Sequence, residues 1–215
     1  MTDLLVFDWN GTVLADTGVV VAAANDQIEF AGGTPLARDE MLQRFYFPVT
    51  EFLLELGCDP ERVSDPRFAD VFHESYERLA TTCRTRRGAR KVLEYAQKKG
   101  IESMILSNHL EARIRVQLGR LNLSDYFSQV LAHQNGYDCS HGNTKIAWME
   151  RHFAESGADP SRSLIVGDSP EDVGIGKTLG MRTVALANGY YPLAKLKEAK
   201  PDYLITNLGS LVDIL

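Results

Sequence analysis

The sequence predicts an α/β fold: a parallel sheet covered on both faces by helices and interrupted by a small α-helical insertion. Three observations predict it. Short runs rich in Val, Ile and Leu recur along the chain. Helical patterns separate those runs from residue 88 onward. Residues 15–86 hold helical patterns and no convincing strand. Strands of a parallel sheet are buried on both faces, so they read as continuous apolar runs joined by helical crossovers.

In chain order, the predicted strands are Leu4–Phe7, Ser103–Leu106, Ser128–Leu131, Ser163–Val166 and Thr183–Leu186, with a weaker one at Tyr203–Ile205. Arg90–Lys99 places Val92, Leu93 and Ala96 on one helical face and stops at Gly100, a residue suited to the position after a helix end. Glu111–Leu121 and Thr144–Ala154 carry similar patterns. Within the insertion, helices are predicted over Val19–Phe30, Arg38–Phe45, Thr50–Leu56 and Phe68–Thr81, with hinges at Asp16–Gly18 and Thr85–Gly88. The expected organisation is a Rossmann-like core from residues 1–14 and 87–215, with a helical cap from residues 15–86.

Composition bounds the function. With 215 residues, 44% hydrophobic and 24% charged, the chain has material for one core domain and an inserted module. The net charge of −6 argues against nucleic acid and anionic membranes as partners, which want a basic face. No apolar stretch approaches the roughly 20 residues of a membrane helix. Cys58, Cys83 and Cys139 form no CxxC pair, and no signal sequence is read at the N-terminus, so a reducing cytoplasm is expected. The chain is expected to act as a monomer or homodimer.

Four strand ends carry the chemistry. The first strand runs into Phe7-Asp8-Trp9-Asn10-Gly11-Thr12, a carboxylate followed by a turn. Ligands of open α/β sheets bind outside such strand ends. An Asp there also serves as a turn-former, and on this segment alone the two readings stand level. The second end is Leu106-Ser107-Asn108, whose hydroxyl and amide suit phosphate oxygens ahead of a helix or serve as a simple helix cap. The third feature is Lys145 at a helix start, where the helix dipole disfavours a cation unless an anion joins it. The fourth is Gly167-Asp168-Ser169-Pro170-Glu171-Asp172, whose acids either are a pair of helix caps or meet Asp8 in the cleft. Two acids brought beside Asp8 would repel unless a cation sat between them, and hard oxygen ligands suit Mg²⁺.

This order of motifs resembles the haloacid dehalogenase superfamily. Its DxDxT motif matches Asp8-Trp9-Asn10-Gly11-Thr12 except at residue 10, its second motif matches Ser107 with Asn108, its lysine matches Lys145, and its GDxxxD matches Gly167-Asp168 through Asp172. The insertion is similar to the α-helical cap of the phosphoglycolate phosphatase-like branch. The resemblance implies a phosphatase acting on a small phosphorylated metabolite, with Asp8 as nucleophile. Asp8, the Asn10 carbonyl and Asp168 would hold Mg²⁺, with Asp172 as ligand or support. Ser107, Asn108 and Lys145 would bind the phosphoryl group together with Gly11 and Thr12 of the first loop, which Thr12 would also brace. Arg44 is a cap candidate for gripping the leaving group. Phe45 and Phe47 are expected to pack, His109 to line the cleft or lie at the surface, Trp9 to shape the pocket wall through its backbone position, and Trp148 to join the core.

Asn10 departs from the pattern. The family's second Asp protonates the leaving oxygen and then activates water, and such help is typically worth about 10²–10⁴-fold. An amide does neither, which leaves several readings open. They are a slow enzyme or one restricted to good leaving groups, an engineered trap, and a phosphate binder without efficient turnover. Asn-Gly also deamidates readily, which would restore Asp. A phosphoglucomutase-like transferase ranks lower because it depends on that Asp. A dehalogenase ranks lower because Asp168 and Asp172 are retained. Residues 16–86 contain no Lys, so a Schiff-base phosphonatase has no cap amine.

Overall fold

The computed structural model describes residues 2–46, 48–134 and 144–215. Phe47 and Cys139, whose roles the sequence suggests, lie outside the described residues. Two compact units are formed, one from Met1–Ala15 with Arg84–Leu215 and one from Asp16–Cys83.

The larger unit is built on a sheet of β1 (Leu4–Phe7), β2 (Glu102–Leu110), β3 (Gln129–His133), β4 (Ser163–Gly167), β5 (Arg182–Leu186) and β6 (Tyr203–Ile205). Their order across the sheet is β3-β2-β1-β4-β5-β6 and every pairing is parallel. The predicted α/β class is therefore borne out. β1 lies at the centre, with Phe7 in register with Ile105 of β2 and Val166 of β4. That register brings the C-terminal ends of β1 and β4 side by side, level with the middle of β2.

Both faces of β1 are buried, as its unbroken apolar run requires. Leu4 and Val6 pack with Met104, Leu106, Met149, Ile165, Ile175 and Met181 on one side, with Trp148 partly buried against them. Phe7 faces the other way and meets the Phe127 ring edge-on at 6.1 Å. Burying one such aliphatic side chain is worth about 1.5–3 kcal/mol, so this core is what holds the strand ends in place. Crossover helices cover the sheet at Ala89–Lys99, Glu111–Leu121, Thr144–Ser156 and Pro170–Leu179. Gly100 takes a φ of 70° and ends the first of these.

One expectation is corrected. β2 does not stop at Leu106 but continues to Leu110 through a register irregularity against β3. Ser107 and Asn108 consequently lie within an irregular strand rather than directly ahead of a helix. A run of apolar residues marks where a strand is buried, not where its hydrogen bonding ends.

The smaller unit is helical: α1 (Thr17–Phe30), α2 (Arg38–Arg44), α3 (Val49–Glu55), α4 (Pro60–Val63) and α5 (Arg67–Ala80). Its core gathers Val21, Ile28, Met41, Phe52, Leu53 and Phe68, with Phe45 packed edge-on to Phe52. The short α4 has no counterpart among the predicted helices. Asp59 caps it by accepting from the Glu61 amide, with Pro60 at its first position. No helix among the described residues is long and apolar enough to cross a membrane.

Candidate active site

Asp8 follows the last residue of β1, and its amide donates to the Val166 carbonyl of β4 at 2.9 Å. The side chain sits at the sheet's C-terminal edge, and the residue is 8% exposed. Trp9, by contrast, is fully buried and donates from Nε1 to Gln117 Oε1 at 2.5 Å. Its ring belongs to the core, so only its backbone is left to border the site. The chain then turns at Gly11, whose φ of 74° favours glycine. A Cβ at Gly11 would also collide with the Asp168 carboxylate.

Lys145 is the second residue of the Thr144–Ser156 helix and is 4% exposed. Its Nζ donates to Asp8 Oδ1 at 3.1 Å and to Asp172 Oδ1 at 3.0 Å, and lies 3.4 Å from Glu171 Oε2. A cation at a helix start needs an anion, and the anions are these carboxylates. Burial pushes the ammonium towards losing its proton, but the carboxylates of Asp172, Asp8 and Glu171 outweigh it and hold Lys145 well above the usual lysine range. Asp8 moves the same way for a different reason. Burial raises its carboxyl well above the usual range, helped by the charges of Asp172 and Asp168 and opposed by Lys145.

Asp168 follows β4 and is held from both sides. The Thr12 hydroxyl donates to Oδ1 at 3.1 Å and the Tyr190 amide donates to Oδ2 at 2.6 Å. Asp172 lies in the first turn of the Pro170–Leu179 helix. Its Oδ2 accepts from the Ser169 hydroxyl at 2.7 Å, in a reciprocal cap that leaves Oδ1 to Lys145. Ligand oxygens of Asp8, Asp168 and Asp172 all lie within 4.8 Å of one another.

The remaining sequence candidates fall in different places. Ser107 is buried and its Oγ accepts from the His109 amide at 3.2 Å. His109 is buried too, which removes the surface reading. Asn108 is exposed and donates to Glu171 Oε2 at 3.2 Å. Thr12 is fully buried with its hydroxyl directed to Asp168, an arrangement of a brace rather than of a phosphate ligand. Asn10 forms a bridge with Leu14. Arg44, in the helical unit, pairs with Glu40 at 2.8 Å and Glu55 at 3.9 Å. Three participants were not singled out from sequence. Glu171 sits inside the acidic motif and carried its own signal. The Tyr190 amide has no side-chain signature, and neither does Gly189, where a Cβ would collide with Asp168.

Three buried carboxylates face one buried ammonium, so the cluster carries excess negative charge. Taking such charges out of water uncompensated is costly. The all-oxygen donor set fits a hard divalent cation such as Mg²⁺.

A family model described as haloacid dehalogenase-like hydrolase matches residues 5–186. The phosphoglycolate phosphatase of Pseudomonas fluorescens (strain Pf-5) is 27% identical over 216 residues, covering 97% of this chain and 78% of that protein. The pyrophosphatase PpaX of Bacillus velezensis is 23% identical over 210 residues, covering 98% and 94%. Among solved structures, a haloacid dehalogenase-like hydrolase of Streptococcus pneumoniae superposes with a TM-score of 0.78 at 15% identity, covering 99% of this chain and 98% of that one.

Proposed function

This chain belongs to the haloacid dehalogenase-like hydrolases, and from that premise we propose that it is a Mg²⁺-dependent phosphatase acting on a small phosphorylated metabolite through an aspartyl-phosphate at Asp8. The observation that carries the reading is the position of Asp8. It stands at the C-terminal end of the central strand, 3.1 Å from Lys145, with ligand oxygens of Asp168 and Asp172 within 4.8 Å. The relatives named for phosphoglycolate and pyrophosphate support a compact and strongly anionic substrate.

In this reading a carboxylate oxygen of Asp8 attacks phosphorus. The bond from phosphorus to the leaving oxygen breaks, and its electron pair departs with that oxygen. A water oxygen then attacks phosphorus, and the bond from phosphorus to the Asp8 oxygen breaks with its electron pair returning to the carboxylate. Inorganic phosphate leaves, with the protons of the water shared between it and solvent. Lys145 stays protonated, placing positive charge beside the reacting phosphoryl oxygens. Asp8, Asp168, Asp172 and the Asn10 carbonyl would hold Mg²⁺, which supplies further positive charge there. Ser107 and Asn108 orient the phosphoryl group, and Arg44 is the cap candidate for the leaving group. Phosphoryl transfer depends mainly on such positioning and charge. Asn10 supplies no proton, so leaving groups that depart without one are favoured. The same residue favours a second reading, in which phosphate binds without efficient turnover.

Phosphate release from a panel including phosphoglycolate and pyrophosphate, with and without Mg²⁺, separates these readings. The protein should be Mg²⁺-dependent and slow, Asp8→Ala inert, and Asn10→Asp faster by about 10²–10⁴-fold on poor leaving groups. Intact mass must accompany the assay, because deamidation at Asn10-Gly11 would add Asp to the unsubstituted sample. Undiminished release by Asp8→Ala would sink the assignment.

A further inference from the structure

Asp168 is gripped by two loops, and one residue ties those loops together. The first is the loop after β1, which supplies the Thr12 hydroxyl to Oδ1. The second follows β5 and supplies the Tyr190 amide to Oδ2. Arg86 reaches both. Its backbone amide donates to the Val13 carbonyl at 2.8 Å, one residue beyond Thr12. Its guanidinium donates from Nη2 to the Ala187 carbonyl and from Nη1 to the Asn188 carbonyl, each at 2.7 Å. Bonds of that length from a charged donor are the stronger kind.

The second loop needs holding. Asn188 takes a φ of 66°, an uncommon conformation for a residue with a side chain. Gly189 passes so close to Asp168 that a Cβ there would collide with the carboxylate. Ala187 is tied to the sheet through its amide, which donates to the Ile205 carbonyl of β6 at 2.8 Å. A forked guanidinium spanning two successive carbonyls fixes the peptide plane just ahead of Gly189 and Tyr190 in a way that a point charge would not.

We propose that Arg86 is a positioning residue for the acidic centre: it clasps the two loops whose donors fix both oxygens of Asp168, and so sets the site's affinity for a divalent cation. This rests on the reading of Asp8, Asp168 and Asp172 as a cation site. Groups bonded directly to a ligand, here the Thr12 hydroxyl and the Tyr190 amide, are typically worth about 10–100-fold in metal affinity, and Arg86 acts by placing them.

The test is Mg²⁺ binding by isothermal titration calorimetry, without substrate, on the full chain and on Arg86→Gln, Arg86→Lys and Arg87→Gln. Metal-free melting is measured on each. Arg86→Gln should bind Mg²⁺ about tenfold more weakly, the low end of that range because it acts through the donors, while its metal-free melting changes little. Arg86→Lys should recover part of the loss, and Arg87→Gln should match the unsubstituted protein. Should Arg86→Gln not fold, Arg86→Met keeps the aliphatic stem and serves instead. Equal affinity in the unsubstituted protein and the folded Arg86 variant overturns the inference alone. Failure of the unsubstituted protein to bind Mg²⁺ overturns the cation-site reading and the inference with it. Equal weakening by Arg87→Gln also overturns it, since the effect would then follow loss of any nearby charge.

Discussion

Asp202 illustrates how far one hydrogen-bonded carboxylate reaches. Its Oδ2 accepts from both the amide and the hydroxyl of Thr183, at 2.7 and 2.8 Å, and its own amide donates back to that hydroxyl at 2.9 Å. The bond from the Thr183 hydroxyl holds the Asp202 carboxyl below the usual carboxylate range. A carboxyl that ionises more easily folded than unfolded stabilises the protein above the ordinary carboxylate range, and the gain is lost as pH falls through the folded value. Asp202→Asn should therefore be less stable near neutrality, with the gap closing in acid. Urea unfolding at several pH values checks this, and a gap of constant size would contradict it.

At the scale of elements, the loop after β5 and the end of β4 must fit around one carboxylate. Gly189→Ala forces a methyl into the Asp168 side chain. Overpacking of this kind costs about 1–3 kcal/mol. The expected result is a lower urea midpoint without metal and weaker Mg²⁺ binding, and unchanged values of both would show that the loop yields freely. This scale also separates what the sequence could reveal from what it could not. β1 and β4 were legible because an apolar run that stops abruptly at an acid suits a buried strand emerging at a sheet edge and little else. Lys145 was legible as a cation in need of an anion. The extension of β2 through Ser107 and Asn108 was not, because polar residues at an irregular strand end look like the start of a loop. Nor was the Tyr190 amide, since a backbone donor leaves no mark in the side chains.

For the molecule as a whole, the acidic cluster links binding to stability. Asp8, Asp168 and Asp172 are buried near one another in the folded state, whereas in the unfolded chain they are separate and hydrated. A cation that binds only the folded form stabilises it by RT ln(1 + [L]/Kd), about 2.7 kcal/mol at a hundredfold excess over Kd. Mg²⁺ should raise the melting temperature of the unsubstituted protein, and Asp168→Asn should lose most of the rise. NaCl at matched ionic strength is the control, because general screening would act equally in both salts. Equal shifts with the two salts would remove the case for a specific site.

The joint where the chain leaves the sheet and returns to it has a consequence of its own. Ala15 donates to Arg84 at 2.8 Å, Arg86 donates to Val13 at 2.8 Å, and Leu14 bridges Thr85 in antiparallel fashion. The outgoing and returning segments are thus stitched together before anything between them is encountered. Closing a loop costs free energy that grows only slowly with its length. The catalytic scaffold is therefore nearly indifferent to how many residues are spliced in at this seam. Recombination or insertion there can exchange one accessory module for another while the strand ends, and the carboxylates they carry, are inherited unchanged.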